Sequence, residues 1–217
     1  MRRHFRDAPS SLSARARRFV AVHGVWLDVP SVSDWRQQWE ANGIPSEVVD
    51  RAVSHQACWG GLALPPSLSY DGGPRILCAD TPEWESDFPD PGWRFEAGPQ
   101  RTALPYSFLI GPDGNFGIAM DSWVPLHARI EGWIESLALA HSAEHIAETV
   151  TTISGDAVAD LDLSGMQPVA ETAGIVDAWW HGASSLIAIY NGEAELFGRP
   201  DYRVARVYSG NIDMKWL

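Results

Sequence analysis

Cysteine, lysine and long apolar runs are all scarce in this chain. Only two of its 217 residues are cysteines, and neither lies in a Cys-x-x-Cys pair or at the histidine spacing of a zinc site. Two isolated thiols are typical of a reducing compartment, and no apolar run approaches the length of a membrane span. The N-terminal arginines are not followed by the apolar core and cleavage site of a signal peptide. We therefore expect a cytoplasmic protein with no membrane partner.

The net charge is −12, and it is distributed unevenly along the chain. Residues 1–18 contain six arginines and one acid, so the remaining ten basic and 27 acidic residues give the body a charge of −17. Such a surface repels nucleic acid and attracts cationic proteins, although acidity also simply keeps many proteins in solution. We expect no nucleic-acid partner, and we expect residues 1–18 to be a disordered basic arm.

The hydrophobic pattern predicts an α+β fold with a mixed or mainly antiparallel sheet packed against a long helix. Helical periodicity begins near Ser31 and near Ser46, and a long apolar stripe runs from about residue 130 to residue 148. Predicted strands cover residues 19–27, 62–64, 76–78, 93–95, 107–110, 116–120 and 124–126. We expect N-terminal helices, with residues 19–148 forming one α+β domain.

The C-terminal region carries a hairpin signal. The Asn-Gly pair at residues 191–192 predicts a two-residue turn between strands at residues 186–190 and 193–197. Residues 149–217 are therefore predicted to be a β-rich extension of the same sheet or a small attached module. The apolar strand at residues 186–190 is also the edge most prone to self-association, in a protein that we expect to be a monomer or weak dimer.

A helix that stops at a Trp-Gly-Gly sequence and passes directly into a strand is a distinctive signal, because glycine adopts positive φ at little cost. Later in the chain, a Pro-Asp-Gly turn joins two apolar strands and is followed by the long helix. This order of elements resembles the SUKH superfamily over residues 30–148. The residues that match its pattern are Trp59, Gly60, Gly61, Asp113 and Gly114. The resemblance implies an intracellular immunity protein that neutralises a toxin by covering its active surface.

The segment at residues 79–92 interleaves acids, aromatics and three prolines. The prolines exclude a helix and a central strand, so we expect a semi-rigid surface loop. Aromatic rings serve as interface anchors, and carboxylates pair with basic side chains at the rim. The predicted residues for binding a cationic protein are Asp80, Glu83, Trp84, Glu85, Asp87, Phe88 and Asp90. The alternative is that the rings pin the loop to the protein's own core.

Two further functions are weighed against protein binding. Exposed tryptophans beside acids bind sugars, and Trp179 and Trp180 are the candidates for such a platform. The sequence His141-Ser-Ala-Glu144-His145 matches the pattern of inverted zinc peptidases, in which two histidines hold the metal and the glutamate activates water. No third ligand is evident, and no nucleophile elbow or phosphate loop occurs. We therefore expect no catalytic residues, no metal and no organic cofactor.

Overall fold

The computed structural model describes residues 3–4, 8–210 and 212. Its α-helices are α1 (Ala14–His23), α2 (Arg36–Ala41), α3 (Ser46–Trp59), α4 (Ile130–Ile146) and α5 (Gly192–Leu196). Its strands are β1 (Arg3–His4), β2 (Val25–Leu27), β3 (Leu62–Ala63), β4 (Glu83–Glu85), β5 (Gly92–Gly98), β6 (Ser107–Ile110), β7 (Phe116–Ala119), β8 (Trp123–His127), β9 (Thr149–Ser154), β10 (Gln167–Pro168), β11 (Ala178–His181), β12 (Ser185–Tyr190) and β13 (Val204–Ser209).

The strands form antiparallel sheets, as expected for the α+β class. A small sheet has the order β1-β2-β3, the first five-stranded sheet has the order β4-β5-β6-β7-β8, and the second has the order β10-β11-β12-β13-β9. Residues 149–209 therefore add a second sheet and not further strands on the first. No helix in the part of the chain that the structure describes is both long and apolar enough to cross a membrane.

Helix α4 packs against both five-stranded sheets, which share one buried cluster of side chains with α1 and α3. Trp133 contacts Phe116 of the first sheet, with ring centroids 5.2 Å apart, and Ser136 accepts a 2.7 Å hydrogen bond from Trp179 of the second. A Cβ at Gly132 would clash with the carbonyl oxygen of Thr172, so close packing explains a glycine inside this helix. The long predicted helix is confirmed as the centre of the fold.

The N-terminal prediction is wrong where the structure describes it. Residues 14–18 are not a disordered arm but the first part of α1, which Ser13 caps by accepting from the amide of Ala16. The helix forms because its apolar residues, Ala16, Phe19 and Val20, lie on one buried face, while Arg17 and Arg18 are exposed. Residues 19–23 are therefore helical and not extended, while β2 does form. Residues 1–2 and 5–7 of the predicted arm lie outside the described residues.

The C-terminal hairpin exists, but its strands differ from those predicted. It consists of β11 and β12, whereas residues 192–196 form α5 in place of a strand. The amides of Asn191 and Gly192 are held by Asp177 and by the Tyr70 hydroxyl, so they do not close a hairpin turn. Because β12 lies between β11 and β13, the apolar segment at residues 186–190 is not an edge.

The Trp-Gly-Gly sequence ends α3 as predicted, but only one of its glycines has the expected backbone angle. Gly61 has a φ of +92°, whereas Gly60 has a φ of −56°. A Cβ at Gly60 would still clash with the carbonyl oxygen of Gln56. The predicted strand at residues 76–78 is not assigned as a strand, although Cys78 donates to the carbonyl of Ala97.

Candidate functional site

The acidic and aromatic segment forms one edge of the first sheet. Strand β4 pairs antiparallel with β5, and this pairing places Trp84 opposite Trp93 and Glu83 opposite Arg94. Pro82 immediately precedes β4, and proline is tolerated at such an edge because the outer side of the strand has no ladder to complete. The prolines thus excluded a central strand, as predicted, but not a short edge strand.

Trp84 is the most exposed tryptophan of the described residues, with 55% of its surface accessible. Its ring packs edge-on against Trp93, at a centroid distance of 5.8 Å. Since successive strand residues point to opposite faces, Glu83 and Glu85 lie on one face of β4 and Trp84 lies on the other. This edge strand therefore presents an exposed indole on one face and two carboxylates on the other, and both kinds of group occur in protein interfaces.

Carboxylates crowd together beside this strand. The Asp80 side chain accepts a 2.8 Å hydrogen bond from the amide of Glu96. Desolvation raises the pKa of Asp80, and the charge of Glu83 raises it further. The pKa of Glu96 is raised by desolvation and by the charges of Asp80 and Glu83. A cationic side chain placed here would relieve this repulsion. We call Asp80, Glu83, Trp84, Glu85 and Glu96 the acidic edge.

Arg94, which is only 2% exposed, holds the turn between β4 and β5 from its buried side. Its guanidinium donates to the carbonyl oxygens of Asp90, at 2.6 Å, and Gly92, at 3.2 Å. It also lies over the rings of Phe88, 4.9 Å from the centroid, and Trp123, 5.3 Å away. Burial lowers the pKa of Arg94. Arg94 therefore fixes the shape of the turn that follows the acidic edge.

The predicted binding residues fall into separate groups. Phe88 is buried against Arg94, so the pinning alternative holds for this ring, and Phe88 is not accessible to a partner. Asp87 and Asp90 are exposed on the turn, whereas Asp80, Glu83 and Glu85 belong to the acidic edge. Sequence reasoning missed Arg94 and Glu96, whose only signal was that they are the two charged residues of the otherwise apolar strand β5.

A groove of about 460 Å³ adjoins the acidic edge and shares Asp80 with it. Trp35, which is 51% exposed, lines the groove together with Val32 and Trp39. Gln56 holds its walls together by donating to the carbonyl of Pro30 and accepting from the amide of Ala79, at 2.9 and 2.8 Å. The groove thus combines a partly apolar lining with an acidic rim.

One residue of the Trp-Gly-Gly motif, Trp59, lies with residues of the hairpin turn at a different cleft, of about 540 Å³. Trp59, Asp113 and Gly114 line it together with His55 and Arg129 at the start of α4. Burial lowers the pKa of His55 to about 4, so its imidazole is neutral at physiological pH. These motif residues are structural: Trp59 is buried, and Gly114 has a φ of +82° that its turn requires.

The arrangement that the zinc pattern requires is not formed. His141 and His145 do lie together, with ring centroids 4.6 Å apart, and His23 of α1 lies 4.2 Å from His141. Glu144, however, forms a 2.7 Å ion pair with Arg206. Across residues 8–210 and 212, no group of three histidine, cysteine or acidic side chains is placed to hold a metal ion.

The predicted sugar platform is also wrong in its location. Trp179 is 1% exposed, donates to Ser136 and stacks on Tyr208 inside the core. Trp180 is half-buried and packs on a second apolar cluster with residues such as Ile187. Alternation along β11 sends these adjacent rings to opposite faces, so the two rings do not form one platform.

The acidic edge, with the groove beside it, thus combines exposed aromatic surface with a cluster of carboxylates. Comparison of the chain with protein-family models, with curated proteins and with solved structures gave no match.

Proposed function

We propose that this protein is a non-catalytic, cytoplasmic binding protein that neutralises a cationic protein partner through the acidic edge, in the manner of the SUKH-like immunity proteins that its sequence resembles. The observation that carries the proposal is that β4 carries the exposed Trp84 ring on one face and Glu83 on the other, where burial and mutual repulsion with Glu83 raise the pKa values of Asp80 and Glu96. This arrangement offers an anchor and a charge that is best neutralised by another molecule.

The charges of the acidic edge favour a basic partner over other classes. Each of Asp80 and Glu96 is destabilised in its ionised form by its surroundings, so a lysine or arginine nearby gains more than it would beside a solvated acid. The whole chain carries −12, which accelerates the approach of a cationic protein and repels a polyanion. A toxin that cleaves nucleic acid has a basic active surface of this kind.

The test is a kinetic comparison of two charge reversals, with the product of the adjacent gene as the partner. One variant carries Glu83→Lys, Glu85→Lys and Asp87→Lys. The matched control carries the same change in net charge at exposed acids elsewhere, by Asp156→Lys, Asp160→Lys and Glu171→Lys. We expect the first variant to associate about tenfold more slowly and to lose most of its salt dependence, whereas the control changes association by about twofold.

Each outcome of this comparison is informative once both variants are shown to melt normally. Equal effects of the two variants would mean that net charge and not the acidic edge governs binding, and would contradict the proposal. Unchanged association of the first variant would exclude the acidic edge as the interface.

A second candidate function is carbohydrate binding in the groove beside the acidic edge. The observation in its favour is the exposed Trp35 ring, which lines the same groove as the Asp80 carboxylate. A ring that stacks on a sugar and a carboxylate that accepts from its hydroxyls would meet there. Titration with soluble polysaccharides should then quench tryptophan fluorescence in the wild type and not in Trp35→Ala.

A further inference from the structure

Strand β9 forms the outer edge of the second five-stranded sheet and is its longest exposed strand. Its pairing with β13 runs without interruption from Thr149 opposite Ser209 to Ser154 opposite Val204. On its other side, no strand among the described residues pairs with it. Residues 149–152 are all exposed, so the face and edge of this strand are open in the described structure.

Sheet edges in natural proteins carry features that prevent pairing with other chains: charged side chains, proline, bulges or a very short strand. The sequence of β9 is TVTTIS, which has no charge and no proline across six residues. Its threonine, valine and isoleucine are residues that favour strands. By contrast, β10 is two residues long and ends in Pro168. The unpaired side of β9 can therefore form backbone hydrogen bonds with a further strand.

The direction of its backbone groups follows from one hydrogen bond. The amide of Gly155 donates to the carbonyl of Arg203 on the neighbouring strand, so Gly155 faces β13. Backbone groups alternate in direction along an antiparallel strand, so residues 151 and 153 also face β13. The amides and carbonyls of Val150, Thr152 and Ser154 consequently point outward, away from the sheet.

We infer that β9 pairs antiparallel with β9 of a second copy of this chain, joining two sheets into one across a twofold axis. Pairing centred on Thr151 places Val150 opposite Thr152 and keeps outward-facing residues in register, so each strand supplies the bonds that the other lacks. The stretch that pairs contains no charge. A cationic partner would find no opposite charge on this edge, whereas an identical neutral strand would meet no electrostatic repulsion from it.

The long-range charge of the protein sets the conditions for this pairing. Each copy carries −12, so two copies repel one another until salt screens the charge. Self-association through β9 should therefore strengthen with added salt, whereas binding of a cationic protein at the acidic edge should weaken. Because the two kinds of association depend on salt in opposite directions, an experiment can test pairing through β9 separately from the proposed binding of a cationic protein.

The decisive variant is Thr152→Pro. Proline removes one outward-facing amide without removing a bond to β13, since Thr152 does not donate to that strand. We expect sedimentation equilibrium of the wild type, at about 1 to 100 µM and about 0.5 M salt, to give a dimer that weakens at about 0.05 M salt. Thr152→Pro should weaken the dimer at least tenfold while retaining the far-ultraviolet circular dichroism of the wild type.

A second variant covers the case in which the proline disturbs folding. Val150→Lys places two like charges on the same face of the joined sheet, diagonally across the twofold axis, and Val22→Lys makes the same change at an exposed site on α1. Val150→Lys should weaken the dimer and Val22→Lys should not. A wild type that stays monomeric at every concentration and salt, or a dimer that survives a folded edge variant, would overturn the inference.

Discussion

The two five-stranded sheets each have an edge strand next to solvent, and the two edges differ in almost every respect. Strand β4 has three residues, two of them glutamates, and a proline directly before it. Strand β9 has six residues and no charge. A short, charged edge such as β4 repels its own copy and attracts an opposite charge. A long, neutral edge such as β9 is complementary to itself.

The sheets also differ in how a buried charged side chain at each one is used. Arg94 of the first sheet donates within its own turn, to residues two and four positions earlier. Asp177, just before β11, accepts from distant segments: the Tyr70 hydroxyl at 2.6 Å and the amide of Asn191 at 3.0 Å. Arg94 therefore shapes a local surface, while Asp177 ties the segment at Tyr70, which precedes the first sheet in the chain, to the second sheet.

The largest expected effect is the loss of the anchor beneath the acidic edge. Arg94→Ala leaves carbonyls of the turn without their donor and empties the space between two rings, so we expect the free energy of unfolding to fall by about 3 kcal/mol. Urea unfolding followed by tryptophan fluorescence measures this. The control is Arg36→Ala, which breaks an exposed ion pair with Asp50 and should have no measurable effect. Equal stability of the two variants would show that the turn holds without Arg94.

The next largest effect is a pH dependence of the free energy of unfolding, which we expect from Asp177 next to the second sheet. Burial raises the pKa of Asp177 to about 7 from an ordinary value of 3.8, so the folded state binds the proton more tightly than the unfolded state. The stability that this proton provides is present at low pH and is lost as pH rises through about 7. Between pH 6 and pH 8 we expect the wild type to lose about 1 kcal/mol of stability relative to Asp177→Asn, which lacks the titrating carboxyl group.

Urea unfolding at the two pH values tests this prediction. Burial lowers the pKa values of His55 and His127 to about 4, so these groups change stability only below pH 6.5, where stability falls as the unfolded state takes up protons. Both histidines are present in the wild type and in Asp177→Asn, so their contribution cancels in the difference between the two pH slopes. Identical pH slopes for the wild type and Asp177→Asn would contradict the assignment of the titration to Asp177.

The sequence predicted the elements whose pattern is long or bounded by strong signals. Strand β6 occurs at the predicted residues, and α4 differs from its prediction only at its C-terminal end, because a continuous apolar stripe leaves few alternatives. Helix α5 was missed because the bonds from Asp177 and Tyr70 override the local turn preference of Asn191-Gly192. Local propensity cannot reveal a partner that lies 14 residues or more away in the chain.

For the candidate site, composition alone located the segment but could not separate surface from core. Trp84 and Phe88 have similar acidic neighbours, yet one is exposed and the other is buried. Phe88 is buried because its ring packs against the guanidinium of Arg94. Trp84 is exposed because β4 pairs with β5 at the edge of the sheet. Both depend on contacts between strands, which the sequence order of acids and rings does not specify.

The smallest expected effect compares one exposed side chain at each edge. Trp84→Ala and Val150→Ala should each change the free energy of unfolding by less than about 1 kcal/mol, because each side chain already contacts water over a large fraction of its surface. Thermal melts at low protein concentration measure this. The two variants should differ only in association: Trp84→Ala should speed dissociation of the cationic partner, and Val150→Ala should weaken the dimer. A large loss of stability in Trp84→Ala would place the ring in the core, and the acidic edge would then lack the anchor on which its proposed role depends.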